Sequence, residues 1–207
     1  MRVVLAGFGP FPGAPVNPSG VLAKALVRSR RPALAGLHRT ASVFATSYAA
    51  VDLGLPKLFA EKPDIVLVFG LAGRRREVCI EIRARNAVSV LFPDAGGHRP
   101  AHTVIKLGGP PALAGCAPFA QLAGAVRARK VPVRLSRDAG RYLCNYIYWR
   151  ALERSPKGRP LVQFVHIPAL GLKPQRKRRR SRRSLLLADI IRAGESLLIA
   201  LAAASRR

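Results

Sequence analysis

Ile65-Val66-Leu67-Val68-Phe69 is apolar at every position and offers no wet face. A strand of this kind is buried on both sides, as in a parallel sheet with helices packed above and below. Further β-rich runs are predicted at 3–6, 40–45, 78–84, 131–135 and 161–167, with helical spacing at 18–29, 48–61, 113–129, 140–154 and 185–205. Strands alternating with helices predict an α/β fold, a three-layer αβα sandwich around a mostly parallel twisted sheet. One domain accounts for residues 1–207, closed by the helix at about 185–205. Asn17-Pro18-Ser19 reads as a helix start, a capping side chain followed by proline at the first position. Pro56 is expected to kink or restart the second helix.

Charge narrows the partner classes. The formal net charge is +26, carried by 28 Arg and 8 Lys, and much of it is scattered singly, at Arg28, Arg39, Arg127 and Arg150 among others. Scattered charge reads mainly as solubility. The run 173–183, with Arg176-Lys177-Arg178-Arg179-Arg180, is concentrated instead. It is either a solvated loop or a weak binder of nucleic acid or another anionic polymer, with no aromatic residue inside it to stack on a base. Three cysteines are too few for a disulfide framework and point to a reducing, cytoplasmic setting. The closing helix carries Asp189, Arg192 and Glu195, which argues against a membrane span.

In open α/β sheets, sites form beyond the carboxyl ends of the strands. That rule selects four segments: Gly7–Gly13, Gly70–Gly73, Asp138–Cys144 and the strand end at His166. Gly7-Phe8-Gly9-Pro10-Phe11-Pro12-Gly13 fails as a dinucleotide loop, because its third glycine falls one place late and its prolines lack N–H groups for a pyrophosphate. Phe8 and Phe11 are either walls of a small apolar pocket or packing beneath the loop.

Cys144 stands where a strand-like run gives way to a helical one. A cysteine is often only a small buried hydrophobe, and Cys79 and Cys116 are expected to be that. The first turn of a helix, however, presents unpaired N–H groups and a positive dipole end, which favour thiolate and can hold an oxyanion. His166 could then take up the thiol proton and later pass it to a leaving amine. Glu81 alternates with Val78 and Ile80. It is either a solvated residue paired with arginine or the carboxylate that orients the imidazole. His98 and His102 lack metal-ligand context, with Pro100 between them.

These residues carry a resemblance across nearly the whole chain. Gly7-Phe8, Pro10-Phe11 and Asn17-Pro18-Ser19, then Gly70-x-Ala72-Gly73 with Glu81 and Asn86, then Ala139-Gly140-x-x-x-Cys144-Asn145, then His166-Ile167-Pro168, resemble in order the motifs of the pyroglutamyl peptidase type I (pyrrolidone carboxyl peptidase) family. The resemblance implies a cysteine omega-peptidase that hydrolyses the amide after an N-terminal pyroglutamyl, or similarly blocked, residue through an acyl-thiol. It implies Cys144 as nucleophile, His166 as general base and acid, and Glu81 as orienting carboxylate. Phe8, Phe11 and Asn17 would hold the substrate or its loop. No cofactor is implied, and homo-oligomers are. Two positions depart: Leu71 where the family usually carries glutamine, and Leu91 where it usually carries arginine. The competing expectation is a catalytically weak family member that binds anionic polymers through 173–183.

Overall fold

The computed structural model describes residues 1–11, 14–171 and 184–206. The basic run 173–183 lies outside the described residues. Along the chain come β1 (Arg2–Phe8), α1 (Pro18–Arg28), β2 (His38–Phe44), α2 (Tyr48–Ala60), β3 (Ile65–Leu71), β4 (Val78–Glu81), β5 (Arg83–Arg85), β6 (Ala112–Ala114), α3 (Phe119–Arg127), β7 (Val133–Ser136), α4 (Leu143–Glu153), β8 (Leu161–Ile167) and α5 (Leu187–Ser205). The main sheet has six strands in the order β2-β1-β3-β8-β4-β7, and every pairing is parallel except β4 with β8. β3 and β8 sit at its centre, and both are buried along almost their whole length.

The two-residue period of a strand sorts the core into two layers. Val3, Leu5, Ile65, Leu67, Ile80, Val165 and Ile167 face α1, α3 and α5. Val4, Ala6, Val66, Val68, Val162 and Phe164 face α2 and α4. Glu81 and His166 fall on this second side by parity, and Cys144 arrives there on α4. That decides where the polar groups meet.

Three expectations change, and the restart allowed for at Pro56 does not occur. The helix placed at 113–129 begins only at Phe119, and Ala112–Ala114 pairs antiparallel with Arg83–Arg85 as a separate two-stranded sheet. Pro110, Pro111, Gly115 and Pro118 break the helical pattern there, and the Gly115 N–H donates to the Ile82 carbonyl instead. The single strand placed at 78–84 breaks at Ile82 into β4 and β5, which belong to different sheets. Pro56 lies inside α2 without ending it. Finally, β4 and β7 run against the other four strands, so the Asp138–Cys144 segment does not leave the same sheet edge as β1, β3 and β8. It must travel back along the α4 face before α4 begins.

No helix among the described residues is long and apolar enough to cross a membrane. α5 instead lays Ile190, Leu197 and Leu201 into the core of the first layer.

Candidate active site

Three sheet positions build the site. β8 delivers His166 next to the end of the sheet, in register with Gly70 of β3 on one side and Cys79 of β4 on the other. Glu81 pairs with Phe164, two residues away on the same face. The side chains lean together across that diagonal, and Glu81 Oε1 lies 2.8 Å from His166 Nδ1. Glu81 is fully buried and His166 is 5% exposed, so the solvated-face reading of Glu81 is overturned. Both faces of β4 are covered, which alternation in the sequence could not show.

The backbone at Glu81 is fixed as firmly as its carboxylate. Its carbonyl accepts from Tyr148 Oη at 2.9 Å and from Gln163 Nε2 at 3.0 Å, two side chains contributed by α4 and β8. Burial alone would raise the Glu81 pKa, but bonds from His166, Ser136 and Arg75 hold it below the usual carboxylate range. A deeply buried acid is therefore kept ionised.

Cys144 is the second residue of α4. Tyr142 caps that helix without a side-chain bond, and the first helical bond runs from Tyr146 N to Tyr142 O at 3.0 Å. The N–H groups of Cys144 and Asn145 precede that bond and are open to a ligand by the geometry of a helix start. The sulfur packs against β3 at Gly70, where an added Cβ would stand 2.9 Å from Sγ and 2.6 Å from Phe164 Cζ. Only glycine lets the thiol come so close to the sheet. Asn145, fully buried, accepts from Arg85 N at 2.9 Å and donates to the carbonyls of Arg85 and Ala87, both at 2.8 Å. It fastens the helix start to the chain that follows Glu81.

Burial pushes the His166 pKa down, yet attraction to Cys144, contact with its thiol and the Glu81 carboxylate together carry it up to about 9. With Nδ1 taken by Glu81, Nε2 is left to meet the sulfur. The imidazole holds a proton strongly enough to stand as a cation at neutral pH.

The other expected residues fall in different places. Asn17 accepts from Ser19 N at 3.1 Å and Ser19 Oγ at 2.8 Å, and donates to Gly9 O at 3.1 Å. It caps α1 and ties the first loop. Phe8 is 3% exposed and packs 6.4 Å from the Phe44 ring, so it belongs to the core beneath that loop and forms no open pocket wall. Phe11 keeps partial exposure and bridges to Ala14. Leu71 ends β3 half-buried beside Ile167, while Leu91 is 71% exposed on a surface turn. Cys79 is buried as expected. Cys116 is exposed, contrary to expectation, because the helix supposed to bury it starts three residues later.

Two functional features escaped the sequence reading. Asp94 collects the N–H groups of Tyr48, Gly96 and His98 at 2.8–2.9 Å and fixes the loop that carries Leu91; Tyr142 Oη, two residues before Cys144, donates to Pro93 O at 3.0 Å. The second is Arg75. Its Nη1 donates to Glu81 Oε1 at 2.6 Å, and nothing in Arg74-Arg75-Arg76 singles it out in the sequence.

A thiol at a helix start, an imidazole and a buried carboxylate, set in a three-layer α/β sandwich, define a thiol hydrolase of the cysteine peptidase class. The chain matches the family model described as pyroglutamyl peptidase over residues 1–207, and it belongs to that family. A pyrrolidone-carboxylate peptidase of Thermococcus onnurineus is 31% identical over 206 residues, covering 96% of this chain and 97% of its own. One from Gloeobacter violaceus is 31% identical over 200 residues, 96% and 95% of the two chains. Among solved structures, the pyrrolidone carboxyl peptidase of Thermococcus litoralis superposes with a TM-score of 0.86 at 27% identity, over 99% and 95% of the chains. The pyroglutamyl peptidase I of Bacillus amyloliquefaciens gives 0.83 at 27%, over 98% and 97%.

Proposed function

We propose that this chain hydrolyses the amide bond after an N-terminal pyroglutamyl or similarly blocked residue, with Cys144 as nucleophile, His166 as general acid and base, and Glu81 as the orienting carboxylate. The observation that carries it is the 2.8 Å contact between Glu81 Oε1 and His166 Nδ1, which turns the ring toward Cys144. The thiolate adds to the scissile carbonyl carbon, a C–S bond forms, and charge collects on the carbonyl oxygen. The N–H groups at the start of α4 are placed to hold that oxygen. As the C–N bond breaks, the His166 imidazolium gives its proton to the departing amine, leaving a thioester and a neutral imidazole. His166 then takes a proton from water, the hydroxide adds, and C–S cleavage restores thiolate and imidazolium.

Leu71 and Leu91 stand where the family usually carries glutamine and arginine. A glutamine or arginine there would offer polar contacts to a lactam; leucine offers none. A buried polar contact missing from a site commonly costs it a few kcal/mol of discrimination, so tolerance for blocked residues other than pyroglutamyl is expected. The unpaired state of Cys79, Cys116 and Cys144 supports a reducing, cytoplasmic setting. The test is release of coumarin from pyroglutamyl-aminomethylcoumarin and from related N-blocked amides by the purified chain under reducing conditions. Turnover by the parent and none by Cys144→Ala supports the reading. No turnover of any such amide by the folded parent sinks it.

A further inference from the structure

Arg75 lies in the connection between β3 and β4, and its side chain is 21% exposed. Nη1 donates to Glu81 Oε1 at 2.6 Å and stands 3.4 Å from His166 Nδ1. Nη2 donates to the Asp138 carbonyl at 2.6 Å. One guanidinium therefore touches the carboxylate, the imidazole and the head of the segment that leads to Cys144.

We propose that Arg75 is a positioning residue for hydrolysis, a fixed cation that locks the Glu81 carboxylate against His166 and couples it to the segment carrying Cys144. The proposal rests on the Cys144–His166–Glu81 reading above.

A guanidinium donates but cannot accept. Glu81 Oε1 must therefore take a hydrogen bond from Arg75 and another from His166 Nδ1–H, and the ring proton at Nδ1 is fixed. The two neighbours of the ring also oppose each other. Glu81 favours the imidazolium, whereas a permanent charge 3.4 Å from Nδ1 disfavours it. An imidazolium held by Glu81 with no such opposition would be slow to give its proton to a leaving amine. The second arm works through the backbone. Asp138 Oδ1 accepts from Gly140 N at 2.9 Å and from Arg85 Nη2 at 2.6 Å, which shapes the turn where Gly140 has φ +87°. Arg75 joins that turn to the carboxylate, a tie between nucleophile and base that acts beside the one Asn145 makes.

Arg75→Gln and Arg75→Lys, made in the full chain with Cys116→Ser to silence the exposed thiol, test this. Two profiles are read between pH 5 and 10.5: the rate of Cys144 alkylation by iodoacetamide, whose upper inflection reports loss of the imidazolium proton, and kcat/KM on pyroglutamyl-aminomethylcoumarin. Arg75→Gln is expected to move the upper inflection up by about 0.5–1 pH unit, since removing one nearby charge shifts a pKa by roughly that or more. It should also lower kcat/KM about 10–100-fold, as a displacement of around 1 Å does. Arg75→Lys should hold the parental inflection while recovering only part of the rate, because an ammonium keeps the charge without the second arm. A merely structural arginine would lower melting temperature and rate together and leave both inflections in place. An unmoved or lowered inflection in Arg75→Gln overturns the proposal. Should Arg75→Gln not fold, a shifted inflection in Arg75→Lys overturns it equally. If the parent alkylates with two inflections but cleaves no pyroglutamyl amide, the proposed substrate falls, and the alkylation profiles still decide the part played by Arg75.

Discussion

Replacing Glu81 by glutamine keeps the size of the side chain and removes the negative charge that faces His166. Charge centres about 4 Å apart attract by roughly 4 kcal/mol at an effective dielectric of 20, or two to three pH units before burial is subtracted. The rise of His166 from 6.5 to about 9 is of that order, with Cys144 raising it most and Glu81 next, against burial. In Glu81→Gln the Arg75 guanidinium would remain beside the ring with no carboxylate to offset it. The sign follows: a raised histidine pKa means that the imidazolium persists up to about 9 and is lost above it. The parent should therefore hold activity through the neutral range and lose it on the alkaline side near pH 9. In Glu81→Gln that limb should fall by about two units, and kcat/KM at pH 7.5 should drop by roughly 10³–10⁴, as when the third member of a triad is neutralised. The assay is coumarin release across pH 5–10.5, with circular dichroism to show that the variant is folded. A folded Glu81→Gln whose alkaline limb stays within 0.3 unit of the parent and whose rate stays within threefold would refute the reasoning.

The same linkage reaches stability. The His166 contribution is complete below its unfolded pKa of 6.5 and vanishes as pH rises through about 9, so melting temperature should decline across that window and Glu81→Gln should lack that part of the slope. Gly70→Ala would drive a methyl to 2.9 Å from the Cys144 sulfur and 2.6 Å from Phe164. Overpacking of this kind costs about 1–3 kcal/mol and displaces the nucleophile, so kcat is expected to fall about 100-fold; full activity would show that the thiol does not rest on β3. Asn145→Ala strands one buried N–H and two carbonyls on the 85–87 segment, which at about 1–3 kcal/mol each should lower the urea midpoint clearly. An unchanged midpoint would remove Asn145 from the account. Leu71→Gln should raise kcat/KM on the pyroglutamyl amide relative to other blocked amides, and an unchanged ratio would separate residue 71 from selectivity.

Sheet and helices were readable because each repeats. An apolar run such as 65–69 can only be a doubly covered strand, and the capping logic of Asn17-Pro18-Ser19 is local, so α1 begins where those residues require. The helix start that carries Cys144 and the strand that ends on His166 follow from the same periodicity, and the order of motifs supplied the roles. Apart from the prolines of 110–118 and Pro56, which are local, the failures are places where a segment depends on something distant. Ala112–Ala114 is a strand because Arg83–Arg85 lies beside it, and the break at Ile82 exists because Ser136 and Gly115 claim its backbone. Nothing within a window of ten residues announces either.

By itself, then, the sequence determined the layered α/β fold and offered a thiol, an imidazole and, through the family resemblance, a carboxylate as candidate groups. Tertiary structure decided what those groups are to one another. The antiparallel entry of β4 puts Glu81 on the face of His166, Gly70 leaves room for the sulfur, and Arg75 becomes the partner of a buried acid. The physical reason is range. Hydrophobic period and helix caps act within one element, whereas burial, ion pairing and the protonation of His166 arise only when elements far apart in the chain exclude water together.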